Sequence, residues 1–147
     1  MASTPRIGPT RVFVDASVLF SAARSPKGFA RDLIEAGLRG QIELVLSPFV
    51  IEETRRNLSK KAPEALPLFE AFLAPDLIRV VQPSTALVAQ VATVIVLKDA
   101  PVVAGAIVAE ATLVATYDRK DLLSKRAEIL AAFGVTVATP DEILANL

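Results

Sequence analysis

The sequence predicts an α/β protein, a three-layer α/β/α sandwich on a mainly parallel sheet of four or five strands. Three observations carry that expectation. Short β-rich apolar runs recur along the chain, segments of helical period separate them, and Gly, Pro, Ser and Asp mark the changeovers. Such alternation is how β-α units feed a parallel sheet. The chain has 147 residues, of which 52% are apolar, which suits one ordinary core. One domain over 1–147 is expected, with 1–10 as a flexible N-terminal extension.

The elements follow in order. Val12-Phe13-Val14, closed by Asp15, reads as a buried parallel strand. Ala16–Ala23 is a short helix ended by Ser25-Pro26-Lys27-Gly28, and Phe29–Leu38 is a second, with Phe29, Leu33, Ala36 and Leu38 inward. Ile42–Leu46 is the second strand. Ser47-Pro48 then supplies an N-cap hydroxyl and a proline at the first helical position, opening a helix that runs to about Leu58. Ala65–Leu73 is helical, Leu77–Val81 is a third strand, and Pro83-Ser84 leads into a helix over Thr85–Val94. Asp99–Glu110 is helical despite Pro101, which lies in the first turn where proline is tolerated. Leu113–Thr116 is the fourth strand, Leu122–Phe133 a helix ended by Gly134, Val135–Ala138 a fifth strand, and Thr139-Pro140 begins a terminal helix.

Composition narrows the chemistry. There is no cysteine and no histidine, which removes disulfides, thiolate and imidazole metal sites, and His-dependent triads. Sixteen basic residues balance sixteen acidic ones, so charge alone does not make a nucleic-acid binder. The uncharged run Val80–Leu97 contains Pro83, Ser84, Thr85, Gln90 and Thr93. It reads as a strand end, a turn and a buried helix rather than a span of about 20 apolar residues. With no apolar leader behind Arg6 either, a cytoplasmic protein without a membrane segment is expected.

What remains is carboxylate chemistry. Ligands of open parallel sheets bind beyond the carboxyl ends of strands, where strand order reverses. Asp15 follows the first strand directly and Asp118 closely follows the fourth; were those strands neighbours, both would project at one sheet edge. Taken alone, each also fits a turn or a helix cap. Asp99 shares a helical stripe with Val102, Val103 and Ala106. A carboxylate on an apolar face needs a partner or a cation, though first-turn capping explains it equally. In the Ser47-Pro48 helix, Val50, Ile51, Thr54 and Leu58 face inward, which leaves Glu53 on the flank and Glu52 outward. Four carboxylates at one edge would repel and raise each other's pKa values unless a cation compensates. An all-oxygen donor set selects Mg²⁺ or Mn²⁺.

These residues carry a family resemblance. The strand ending in Asp15-Ala16-Ser17-Val18-Leu19 resembles the opening motif of PIN-domain nucleases. Leu46-Ser47-Pro48 with Ile51-Glu52-Glu53 is similar to their second acidic helix, and Lys98-Asp99-Ala100-Pro101-Val102-Val103-Ala104-Gly105-Ala106 to their third acidic motif. Leu113 to Leu122, through Thr116-Tyr117-Asp118-Arg119-Lys120-Asp121, resembles the strand and acidic turn that follow. The likeness runs from Arg11 to Leu144, and four motifs in order are more specific than any one. Two departures stand out: Ser17 where many relatives carry Asn, and Ala111-Thr112 where an extra acidic residue is common.

The resemblance implies a PIN-like fold and Mg²⁺- or Mn²⁺-dependent endoribonuclease activity. It implies Asp15, Glu53, Asp99 and Asp118 as the catalytic and metal-binding carboxylates. Closest in character are VapC-like toxins, so an RNA substrate, a cognate antitoxin and a homodimer are expected. Ser17 and Thr116 are candidates to hydrogen-bond the carboxylates, and Asp121 either substitutes for Asp118 or caps a helix. Arg24, Lys27, Arg31, Arg55, Arg119 and Lys120 flank the acidic motifs and are candidate phosphate contacts. The alternatives are a non-catalytic PIN-fold module binding RNA or protein, and a metal-dependent aspartyl phosphatase with Asp15 as nucleophile. The absence of a Gly-rich turn after the first strand disfavours a dinucleotide-binding protein.

Overall fold

The computed structural model describes residues 8–147; the expected N-terminal extension over 1–10 lies mostly outside them. Five strands form one parallel sheet: β1 Arg11–Val14, β2 Glu43–Leu46, β3 Arg79–Val80, β4 Leu113–Ala115 and β5 Thr136–Ala138, in the order β3-β2-β1-β4-β5. Successive strand residues point to opposite faces, yet Val12, Phe13 and Val14 are all fully buried. The central strand is therefore covered on both sides, as the apolar run predicts.

The covering helices are α1 Ala16–Arg24, α2 Phe29–Leu38, α3 Pro48–Lys61, α4 Leu66–Leu73, α5 Thr85–Val91, α6 Ala100–Val108, α7 Arg126–Phe133 and α8 Pro140–Ala145. Helix α1 packs against α2, α3 and α4, while α6 packs against α5, β1 and β4. Gly105 lets α6 approach the sheet, because a Cβ there would lie 2.4 Å from Cε2 of the buried Phe13 ring. No helix among the described residues is long and apolar enough to cross a membrane.

Several expectations need correction. The third strand shrinks from Leu77–Val81 to Arg79–Val80, since it lies at the sheet edge and Asp76 before it turns through φ 57. Helix α5 stops at Val91 and buries only that residue, so the helix of the uncharged run is a largely exposed one. Phe29 is exposed; the inward stripe of α2 is Ala30, Leu33, Ile34, Ala36 and Gly37. Three predicted helices begin as 3-10 turns, at Pro63–Ala65, Leu97–Asp99 and Leu123–Lys125. Helix α6 ends two residues before Glu110, which exits in the left-handed region at φ 55 while the Ala111 amide closes on the Ala106 carbonyl at 2.9 Å.

Candidate active site

Strand pairing fixes the site's frame. β1 and β4 are neighbours, in register Val14↔Ala115, and the Asp15 amide donates to the Ala115 carbonyl at 3.0 Å. Here the strand order reverses, with β2 and β3 on one side of β1 and β4 and β5 on the other. Asp15 and the Thr116–Asp118 turn therefore leave the sheet side by side.

Each acidic side chain arrives on a different element. Asp15 caps α1 through its own side chain, Oδ1 accepting from the Ala16 amide at 2.8 Å. Its Oδ2 accepts from Thr116 Oγ1 at 2.6 Å and from Ser17 Oγ at 3.1 Å. The two hydroxyls are themselves anchored, Thr116 Oγ1 accepting from the Asp118 amide and Ser17 Oγ from the Tyr117 amide, both at 3.0 Å. Three of about four carboxylate lone-pair positions are thus filled, leaving one on Oδ1. Burial raises the Asp15 pKa, against the opposing pull of these three hydrogen bonds.

Asp99 sits where the 3-10 turn Leu97–Asp99 meets α6, and it makes no side-chain capping bond. Capping therefore does not account for it. Its Oδ2 is shut off from solvent and accepts no hydrogen bond, the Lys98 ammonium standing at ion-pair range, 3.4 Å. Burial pushes the Asp99 carboxyl up to about 6; Lys98 opposes this, whereas Asp118 and Asp15 add to it.

Asp118 follows β4, and its Oδ1 accepts from the Asp121 amide at 3.0 Å. Asp118, not Asp121, thus makes the turn-stabilising bond. Asp121 caps nothing; its carboxylate pairs with Lys98 at 3.0 Å, which lowers its pKa. Carboxylate oxygens of Asp99, Asp118 and Asp121 lie within 4.8 Å of one another. A cleft of about 230 Å³ is lined by Asp15, Ser17, Glu53, Asn57, Lys98, Asp99 and Asp118. Glu53 enters it from α3, and burial first, then Asp15, raises its pKa. Glu52 stays outside, paired with Arg55 at 3.1 Å.

Residues 12–129 match the model of the PIN domain. The chain belongs to the PIN domain family. No curated protein matches this PIN domain in sequence. Its fold is shared with VapC20 of Mycobacterium tuberculosis, a sarcin-ricin loop cleaving toxin, at 16% identity and TM-score 0.58, over 74% of this chain and 91% of that one. VapBC2 from Rickettsia felis, bound to a DNA fragment from their promoter, aligns at 14% identity and TM-score 0.63, over 88% and 98%. FitAcB from Neisseria gonorrhoeae aligns at 20% identity and TM-score 0.56, over 88% and 97%.

Within this PIN domain, two cleft residues escaped the sequence reading. Asn57 lies one helical turn beyond Glu53, so the i, i+4 spacing that brings one to the cleft brings the other. Lys98 adjoins Asp99, but its partner Asp121 is distant in sequence. Of the candidate phosphate contacts, Arg55 is held by Glu70 at 2.6 Å. Arg31 donates to the Ala22 carbonyl at 2.6 Å and stacks over Phe72, and Arg24 lies 6.0 Å from the Phe20 ring centre. Lys27, Arg119 and Lys120 are exposed.

The Thr116 hydroxyl is fully buried, donates to Asp15 and accepts from the Asp118 amide, with Ser17 Oγ 3.4 Å away. Thr116→Val removes the donor to Asp15 and the acceptor for the Asp118 amide, leaving that amide unpaired and Asp15 Oδ2 with Ser17 alone. The expected cost is about 1–3 kcal/mol, read as a lower urea midpoint with unchanged slope. An unchanged midpoint would show that water replaces the hydroxyl.

Proposed function

We propose that this chain is a single-domain, divalent-metal-dependent endoribonuclease, the toxin component of a toxin–antitoxin pair. The observation that carries the reading is one cleft lined by Asp15, Glu53, Asp99 and Asp118 from four parts of the fold, in which an Asp99 oxygen closed to water accepts no hydrogen bond and has the Lys98 ammonium, at 3.4 Å, against it. A buried anion left without hydrogen bonds is costly, and a hard cation with oxygen ligands removes that cost. The donor set fits Mg²⁺ or Mn²⁺, since every side chain in the cleft that can ligate a cation, Asn57 through its amide oxygen included, offers oxygen, and Lys98 offers none.

Asp15, Asp99 and Asp118 would hold the ion, with Glu53 completing the acidic wall. When bound, Mg²⁺ or Mn²⁺ neutralises the phosphodiester and activates water at neutral pH. Thr116 and Ser17 hold Asp15 in the cleft lining with one carboxylate lone pair left unfilled. The turn bond from the Asp121 amide fixes Asp118. Glu53, with its raised pKa, is suited to hold or accept a proton near the reacting phosphate. Exposed Lys27, Arg119 and Lys120 would meet the RNA backbone.

Phosphoryl transfer to Asp15 is the weaker reading, because both its oxygens already accept hydrogen bonds and the residue is 7% exposed. The likeness to a sarcin-ricin loop cleaving toxin supports RNA as substrate, and the VapBC complex supports an antitoxin partner. A homodimer is proposed on the same footing.

The test is cleavage of mixed RNAs by the purified chain with Mn²⁺, with Mg²⁺ and with chelator. Metal-dependent internal cleavage is expected; cleavage unaffected by chelator contradicts the reading. Glu53→Gln should lower the rate at least about tenfold, on the scale of lost groups supporting a metal site. Glu52→Gln should leave it nearly unchanged. The reverse order would move the acidic wall to the other side of α3.

A further inference from the structure

Lys98 is the cation in the lining of the acidic cleft. The 3-10 turn Leu97–Asp99 sets its ammonium 3.4 Å from Asp99 Oδ2 and 3.0 Å from Asp121 Oδ2. It thus stands against the Asp99 oxygen that is closed to solvent and receives no hydrogen bond, and against two of the three carboxylates that converge within 4.8 Å. Yet the side chain is 71% exposed, so packing does not lock it in place. Resting on the metal-dependent reading of the site, we propose that Lys98 is a tethered counter-ion. Its ammonium neutralises Asp99 and Asp121 in the metal-free protein, and a dication held by Asp15, Asp99 and Asp118 must displace it.

Three physical points support this. An ammonium and a dication cannot both stand against the same carboxylate oxygens without strong repulsion. Oxygen ligands lie about 2.0–2.1 Å from Mg²⁺, closer than the ammonium comes to either carboxylate, so the ion draws the oxygens into a space that Lys98 borders. The lysine leaves cheaply, since partly exposed ion pairs are weak and its four-carbon stem is flexible. Lys98 is then a positioning residue that sets the metal concentration at which the site fills. Displacement also frees Asp121, until then held by lysine, to join the ion's ligands or their hydrogen-bonding partners.

Two measurements on the whole chain test this. Calorimetric titration with Mn²⁺ compares the wild type with Lys98→Met, a substitution at a side chain that is 71% exposed. The variant should bind about fivefold tighter, the scale of one partly exposed ion pair removed from competition. In the wild type, the Lys98 side-chain ammonium resonance, assigned by its absence from the variant, should shift and broaden towards free lysine as Mg²⁺ saturates the site. Equal affinities overturn the proposal alone, as does tighter binding in the variant with an unmoved wild-type resonance. Absence of binding by both proteins overturns the metal-dependent reading and this proposal with it.

Discussion

Asp99→Asn should abolish metal-dependent RNA cleavage while making the metal-free protein more stable. The activity loss follows from position: Asp99 offers the cleft a buried oxygen without a hydrogen bond. A neutral amide cannot replace that charge, so a loss of at least about a hundredfold is expected, the upper range for groups supporting metal sites. The stability gain follows from its carboxyl pKa, raised from 3.8 to about 6 mainly by burial. Between those values the folded state binds more protons than the unfolded one, so stability falls as pH rises through about 6. At pH 7 the charged form is a burden, and its removal stabilises the fold on the order of 1–2 kcal/mol. The metal-free wild type should accordingly melt higher at pH 5 than at pH 7, and the variant should lack Asp99's share of that rise while keeping the part due to Asp15 and Glu53. Full metal-dependent activity in Asp99→Asn would remove Asp99 from the site.

Gly105→Ala should destabilise the protein although alanine is the better helix former. The new methyl would lie 2.4 Å from Phe13 Cε2 and 2.8 Å from Cζ. That ring is fully buried in the central strand, so it cannot swing aside and α6 must back away from β1. Overpacking of this kind costs about 1–3 kcal/mol, against roughly 1 kcal/mol gained in helix propensity. A net loss of up to about 2 kcal/mol corresponds to a drop of up to about 8 °C in melting temperature. Because α6 begins one residue after Asp99, its retreat should also weaken Mn²⁺ binding. An unaltered melting temperature would mean that α6 packs less closely on the sheet than described. Gly37, whose Cβ would meet Leu44 at 2.3 Å, poses the same constraint where α2 crosses β2.

The fold was readable because its strongest signals are local and mutually consistent. Val12–Val14 is apolar on both faces, Ser47-Pro48 opens α3 with a side-chain cap to Val50, and Gly134 ends α7 in the left-handed region. Where tertiary context decides, the sequence was less informative. Nothing in Thr85–Val94 distinguishes a buried helix from α5, which lies open on most of its surface. The site divides in the same way. Asp15 and Asp118 could be related through strand order, and Glu53 separated from Glu52 by helical phase. The Lys98–Asp121 pair could not, because it joins the turn before α6 to the loop after β4. That loop's course depends on which oxygen its amides find, and here the Asp121 amide finds Asp118.

The most direct test of the central claim is a Mn²⁺-soaked crystal examined for anomalous scattering. A peak is expected in the cleft among Asp15, Asp99 and Asp118, with the Lys98 ammonium turned away. A crystal saturated with Mn²⁺ but showing no peak there, with Lys98 still bridging Asp99 and Asp121, would contradict it.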